Sequence, residues 1–147
     1  MLSLEIPNLI WARHQPHGYD PSGESRILRI FERVGQVLCT ATVLLLRPPA
    51  TVTEAWSPWA WWLIAAIVLM LIYEGFWVRY FIGAHTLSDF YRPLFRIPLP
   101  GATLPVIAFF LLGIYAQALP LMISAIILGI GHIGIHRYHA SEIEFAR

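Results

Sequence analysis

The sequence predicts an all-α integral membrane protein: a bundle of four transmembrane helices, both termini cytoplasmic, with a short interfacial helix between the second and third. Three observations predict it. Of 147 residues, 57% are hydrophobic and only 13% charged, about half the charged share of a soluble domain. The charges are unevenly spread. Arg47 and Glu54 are the only ones between Leu38 and Tyr73, and none lies between Gly101 and His136. Two such stretches cannot make a water-soluble surface. Finally, with the N-terminus inside, Arg13, Arg26, Arg29, Arg33, Arg79, Arg92, Arg96, Arg137 and Arg147 fall on the cytoplasmic side and only Arg47 outside, the bias that fixes orientation. The expected location is an inner or plasma membrane.

Residues 1–25 are expected to form a cytoplasmic arm and residues 26–147 the transmembrane domain. In the arm, Leu2, Ile6, Leu9, Ile10 and Trp11 make a short apolar face suited to headgroups, with Pro7 predicting an interruption. No short apolar region with a small-residue cleavage site precedes the first span, so no cleavable signal peptide is expected. Asp20-Pro21 reads as a helix start.

The first span is predicted at 26–46, ended by Arg47-Pro48-Pro49. The second, at 59–82, is introduced by Trp56, Trp59, Trp61 and Trp62, an aromatic belt. Residues 102–136 are uncharged. A single helix of that length would reach roughly 52 Å, against a hydrocarbon core of about 30 Å. Gln117 and Pro120 mark the expected break, giving spans at 102–118 and 120–138 joined as a tight hairpin. Between the second and third spans, Thr86 and Asp89 have capping-box spacing with Asp in place of Glu or Gln. Leu87, Phe90 and Leu94 then share the face of a short interfacial helix, stopped by Pro98 and Pro100.

Composition also excludes chemistry. A net charge of +1 offers no global field for nucleic acid. All ten basic residues are Arg, so no side-chain amine exists for a Schiff base. The single Cys39 excludes an intrachain disulfide and is expected to be a buried filler.

Ionisable groups inside a membrane read as functional by default. Glu32 and Gln36 in the first span, Tyr73 and Glu74 in the second, and His132, His136 and His139 in the fourth all fall near the cytoplasmic ends. Ala125, Gly129, His132, His136 and His139 lie on a stripe about 80° wide, expected to face the bundle interior. Leu63, Ile67, Met70, Glu74, Trp77 and Phe81 share a face of the second span, and Glu32, Gln36, Cys39 and Val43 a face of the first. Arg79 lies roughly 140° from Glu74 and reads as a snorkelling anchor.

His132 and His136, at i and i+4, are the expected metal ligands with Glu74, in a nitrogen–oxygen shell suited to zinc or iron. Glu32, Gln36, His139, Tyr73 and His85 are secondary candidates. The segment lacks the glutamate of a HExxH metalloprotease. Haem ranks lower, since His85 is the only second axial ligand in reach. The bland alternatives pair Glu74 with a histidine as structural glue, pair Glu32 with Arg29, and place His139 at headgroups. Trp side chains, Arg92 and Arg96 read as interface anchors, while His14 and His17 belong to the arm.

These residues predict a membrane protein with an inner-leaflet Glu/His site for a metal ion or small ligand, acting as enzyme, carrier or sensor. Alternatives are a non-catalytic subunit or assembly factor docked on a larger membrane partner, and a small oligomeric transporter or proton pathway. The expected partners are the lipid bilayer and either a second copy of the chain or a larger membrane complex, not nucleic acid.

Overall fold

A computed structural model describes residues 2–50 and 57–145, and among them every regular element is helical. Glu54, Trp56 and Arg147 lie outside the described residues, as do the side chains of Leu2 and Ile6. The elements are α1 (Leu2–Trp11), α2 (Arg26–Leu44), α3 (Ala60–Phe81), α4 (Leu87–Tyr91), α5 (Pro100–Tyr115) and α6 (Leu119–Phe145), with one 3-10 turn at Pro21–Gly23.

Most boundaries follow local chemistry. Asp20 accepts the Ser22 backbone N–H at 2.9 Å and caps the 3-10 turn, two residues before Ser25 opens α2. Thr86 and Asp89 make the reciprocal capping box. Thr86 Oγ1 accepts from the Asp89 N–H at 3.0 Å, and the Thr86 hydroxyl and N–H donate to the Asp89 carboxyl, holding it below the usual carboxylate range. Pro100 occupies the first turn of α5, where its missing N–H costs nothing. Gln117 adopts φ 51° between α5 and α6, so the predicted break is a left-handed corner at that residue.

Three local expectations change. α1 runs through Pro7, which is buried, so packing there offsets the lost backbone bond. α4 stops at Tyr91, before Pro93, and leaves Leu94 outside the helix in an isolated bridge to Ile97. The Arg79 guanidinium accounts for that stop by donating to the carbonyls of Asp89, Arg92 and Pro93 at 3.3, 2.8 and 3.2 Å. α6 continues past Tyr138 to Phe145. Its 27 residues reach about 40 Å, so its last turns extend beyond a bilayer-thick slab.

The four longer helices pack in the order α2, α6, α5, α3, so the last helix in sequence lies between the first and third. Two glycines set the α2–α6 seam. A Cβ on Gly35 would collide with the backbone of Leu128, and one on Gly131 with the Leu28 carbonyl and the Glu32 backbone. Beyond this seam Cys39, Val106, Leu121, Ala125 and Leu128 form one apolar core. A second, largely aromatic core holds Tyr73, Phe76, Trp77, Tyr80, Phe90, Tyr91 and Leu104.

α3 and residues Leu119–Ile143 of α6 are long and apolar enough to cross a membrane, and α5 is a shorter apolar helix. The most apolar windows of α3 and α6 are only 22% and 33% buried within the protein. A helix wrapped in a soluble core would be covered on most sides. Instead Trp61, Leu71 and Val78 on α3 and Ile126 and Ile130 on α6 stand exposed.

Replacing Gly131 with Val should wedge α2 from α6 and cost about 1–3 kcal/mol or more. Nothing lies within 4 Å of a Cβ on Gly75, so Gly75→Ala should be neutral or stabilise by up to about 1 kcal/mol. Denaturation midpoints of the two variants in one detergent check both signs.

Candidate functional site

A cavity of about 270 Å³ opens beside α6. Asn8 and Trp11 of α1 line it, with Tyr19 and Glu24 of the arm, Glu32 and Gln36 of α2, Trp77 of α3, Phe90 of α4, Gly101 of α5, and His132 and His136 of α6. Gly101 is required here because a Cβ would press on the Phe76 ring at 2.9 Å.

Glu32 and His132 meet across the α2–α6 seam, Oε1 to Nδ1 at 2.5 Å. A carboxylate on Nδ1 favours the Nδ1–H tautomer, which leaves the Nε2 lone pair of the neutral ring for another partner. Glu32 therefore serves His132 rather than Arg29. His136 follows one turn on, its ring centroid 4.6 Å from that of His132. It stacks on Phe90 at 5.7 Å and meets Tyr91 edge-on at 5.8 Å. Among the described residues its ring nitrogens have no hydrogen-bond partner.

Two further polar groups in the wall lack a partner. The indole N–H groups of Trp11 and Trp77 are buried without an acceptor among the described residues, and Trp77 is only 4% exposed. A buried donor left unpaired costs about 1–3 kcal/mol.

The arm folds over the cavity and is tied down at several points. Tyr80 donates its hydroxyl to the His14 carbonyl at 2.8 Å, and the His17 N–H donates to the His85 carbonyl at 3.2 Å. Trp11 packs edge-on against Tyr19 at 5.2 Å and on Phe90 at 5.9 Å. Glu24 Oε1 accepts from the Tyr19 hydroxyl at 2.8 Å and lies 3.0 Å from His139 Nε2. The His139 and Glu24 side chains are only 4% and 7% exposed. Burial first, then the bond to Glu24, pushes the Tyr19 phenol above its ordinary 10.0 and keeps it protonated as the donor.

The expected site residues thus divide. Glu32, Gln36, His132 and His136 line one cavity. Glu74 does not join them: α3 packs chiefly on α5, and the residue it brings to the cavity is Trp77. The buried face of α3 also runs through Ala66, Tyr73, Phe76, Trp77 and Tyr80, about a quarter-turn from the face expected through Leu63, Met70 and Glu74. The four aromatic rings bury more area than that face would. Glu74 Oε1 is buried without a hydrogen-bond partner among the described residues. Tyr73 belongs to the aromatic core. His85 sits in the loop beside Tyr80 and His14, ring centroids 5.2 and 6.2 Å away, and does not line the cavity. His139, expected at headgroups, is buried under the arm against Glu24.

Among the described residues no three His, Cys, Asp or Glu side chains gather in metal-ligating geometry. Trp11 was expected at headgroups and instead lines the cavity, while Tyr19 and Glu24 had no periodic signal to reveal them, since Glu24 meets its histidine 115 residues away. No family model, curated protein or solved structure matches the chain.

Removing the Glu24 carboxylate takes the Nε2 partner from the buried His139 and leaves only Glu142, 3.6 Å from Nδ1. Glu24→Ala should raise arm opening about ten- to hundredfold, read as faster trypsin cleavage after Arg13 in otherwise folded protein.

Proposed function

We propose that the chain is a four-span membrane protein, α2, α3, α5 and α6 crossing the bilayer with both termini cytoplasmic. Its inner-leaflet cavity binds a small polar ligand, which it senses, carries or transforms. Exposed apolar side chains on α2, α3 and α6 support the membrane reading, and the arginine distribution supports the orientation. In that frame the arm, α4 and the C-terminal turns of α6 share the cytoplasmic end, and the arm roofs the cavity against water.

One observation carries the ligand reading. The oriented Glu32–His132 pair opens on a cavity that Glu24, Gln36 and His136 also line. The ligand that suits this wall offers a donor to His132 Nε2 and polar groups to Glu24 and Gln36. Volume limits it to a small molecule. A carboxylate-oriented imidazole facing a cavity is also the arrangement a general base requires, which gives the site a route from binding to proton transfer.

A second reading has its own support. A carboxylate holding Nδ1 is the usual outer-shell arrangement behind a metal-binding imidazole. Zinc or iron on His132 Nε2 and His136 would then need water or ligand oxygens to fill its shell.

Native mass spectrometry and elemental analysis of detergent-purified protein test both. The wild type should carry a bound small molecule or stoichiometric metal. His132→Ala should lower its occupancy about tenfold or more, and Gly75→Ala should leave it unchanged. Folded wild-type protein with neither species, or occupancy indifferent to His132→Ala, would contradict the site.

A further inference from the structure

The outer face of α2 carries a second feature unrelated to the cavity. Arg26, Arg29 and Arg33 are all exposed and together line a concavity of about 250 Å³ with Ile30. Spaced at i, i+3 and i+7, they fall within roughly 60° of one another on the helix and span about 10 Å along it. Among the described residues none has an ion pair or hydrogen bond to a side chain. The acids closest in sequence are engaged elsewhere: Asp20 with Ser22, Glu24 with Tyr19 and His139, Glu32 with His132. Three guanidinium groups thus share one surface without a counter-charge.

The same face then changes character. Val37 and Leu44 continue it, 68% and 70% exposed, and Ile30 and Val34 flank it at 52% and 44%. Two turns of arginine followed by exposed aliphatics match a bilayer in depth: phosphates at the headgroup level, acyl chains beyond. Guanidinium forks suit phosphate oxygens, which they grip in pairs.

We propose that Arg26, Arg29 and Arg33 bind the phosphate of an anionic phospholipid, whose acyl chains lie along Ile30, Val34 and Val37. This rests on the reading of α2 as a membrane span. The charge complementarity is that of a juxtamembrane basic cluster, held in register by the helix rather than by a flexible tail.

The test uses the full chain in lipid nanodiscs containing phosphatidylcholine and phosphatidylglycerol with matched acyl chains. Lipids retained after mild detergent extraction are counted by native mass spectrometry. The wild type should hold phosphatidylglycerol over phosphatidylcholine by about tenfold. The triple variant Arg26→Gln, Arg29→Gln, Arg33→Gln should bring the preference to within about twofold of equal. The matching triple lysine variant, which keeps the charge, should retain most of it, and Arg92→Gln should behave as wild type. Excess inorganic phosphate should not displace the lipid. A glutamine variant with undiminished preference, or displacement by free phosphate, would overturn the proposal. Wild-type protein that stays monodisperse without detergent or lipid would instead remove the membrane reading beneath it.

Discussion

The α2–α6 seam is the constraint on which the rest depends. A polar side chain inside an apolar slab must find its partner in the protein, because the surroundings supply none. Gly35 and Gly131 let the two backbones approach until Glu32 reaches His132 directly. Small residues allow such approach between membrane helices, and the polar contact then adds direction to a packing surface that dispersion alone leaves slippery. Once α2 is fixed on α6, the arm that precedes α2 starts at the C-terminal end of α6. There Glu24 finds His139, and the cavity gains its roof.

The two ends of the molecule differ in kind. Around Cys39, Leu121 and Ala125 the packing is aliphatic, and the hydroxyls nearby are absorbed by their own helices. Thr42 donates to the Leu38 carbonyl at 2.6 Å and Ser124 to the Pro120 carbonyl at 2.7 Å. At the other end, histidines, carboxylates, indoles and phenols meet around one space. The titratable cluster is thereby confined to one end, and at the far end the hydroxyls of Thr42 and Ser124 are committed to helix carbonyls. That division favours a binding site entered from one side over a continuous conduction path.

Much of this organisation was legible in the residues. Pro100, Gln117 and Pro120 punctuate an uncharged run, and the Thr86–Asp89 capping box opens α4 as its spacing predicts. The stripe through Ala125 and His139 is interior, as small residues at helical spacing indicate. What stayed hidden was adjacency. Periodicity says which face of a helix is turned inward, not which helix receives it, so Glu74 and Glu32 were indistinguishable as partners for His132. The tight α2–α6 seam selects Glu32, while α3 brings Trp77 to the cavity instead of Glu74. The rotation of α3 had a quieter signal: Tyr73, Phe76, Trp77 and Tyr80 form a bulkier face than the one through Glu74. The arm was the least legible part, since Tyr19 and Glu24 act through contacts remote in sequence.

The central claim is that Glu32 holds the His132 ring by Nδ1 and turns Nε2 to the cavity. Nitrogen-15 NMR of histidine-labelled protein in bicelles tests it most directly. A strongly deshielded proton on His132 Nδ1, lost in Glu32→Gln, is the predicted result. A His132 ring protonated only on Nε2, or one whose signals ignore Glu32→Gln, would contradict it.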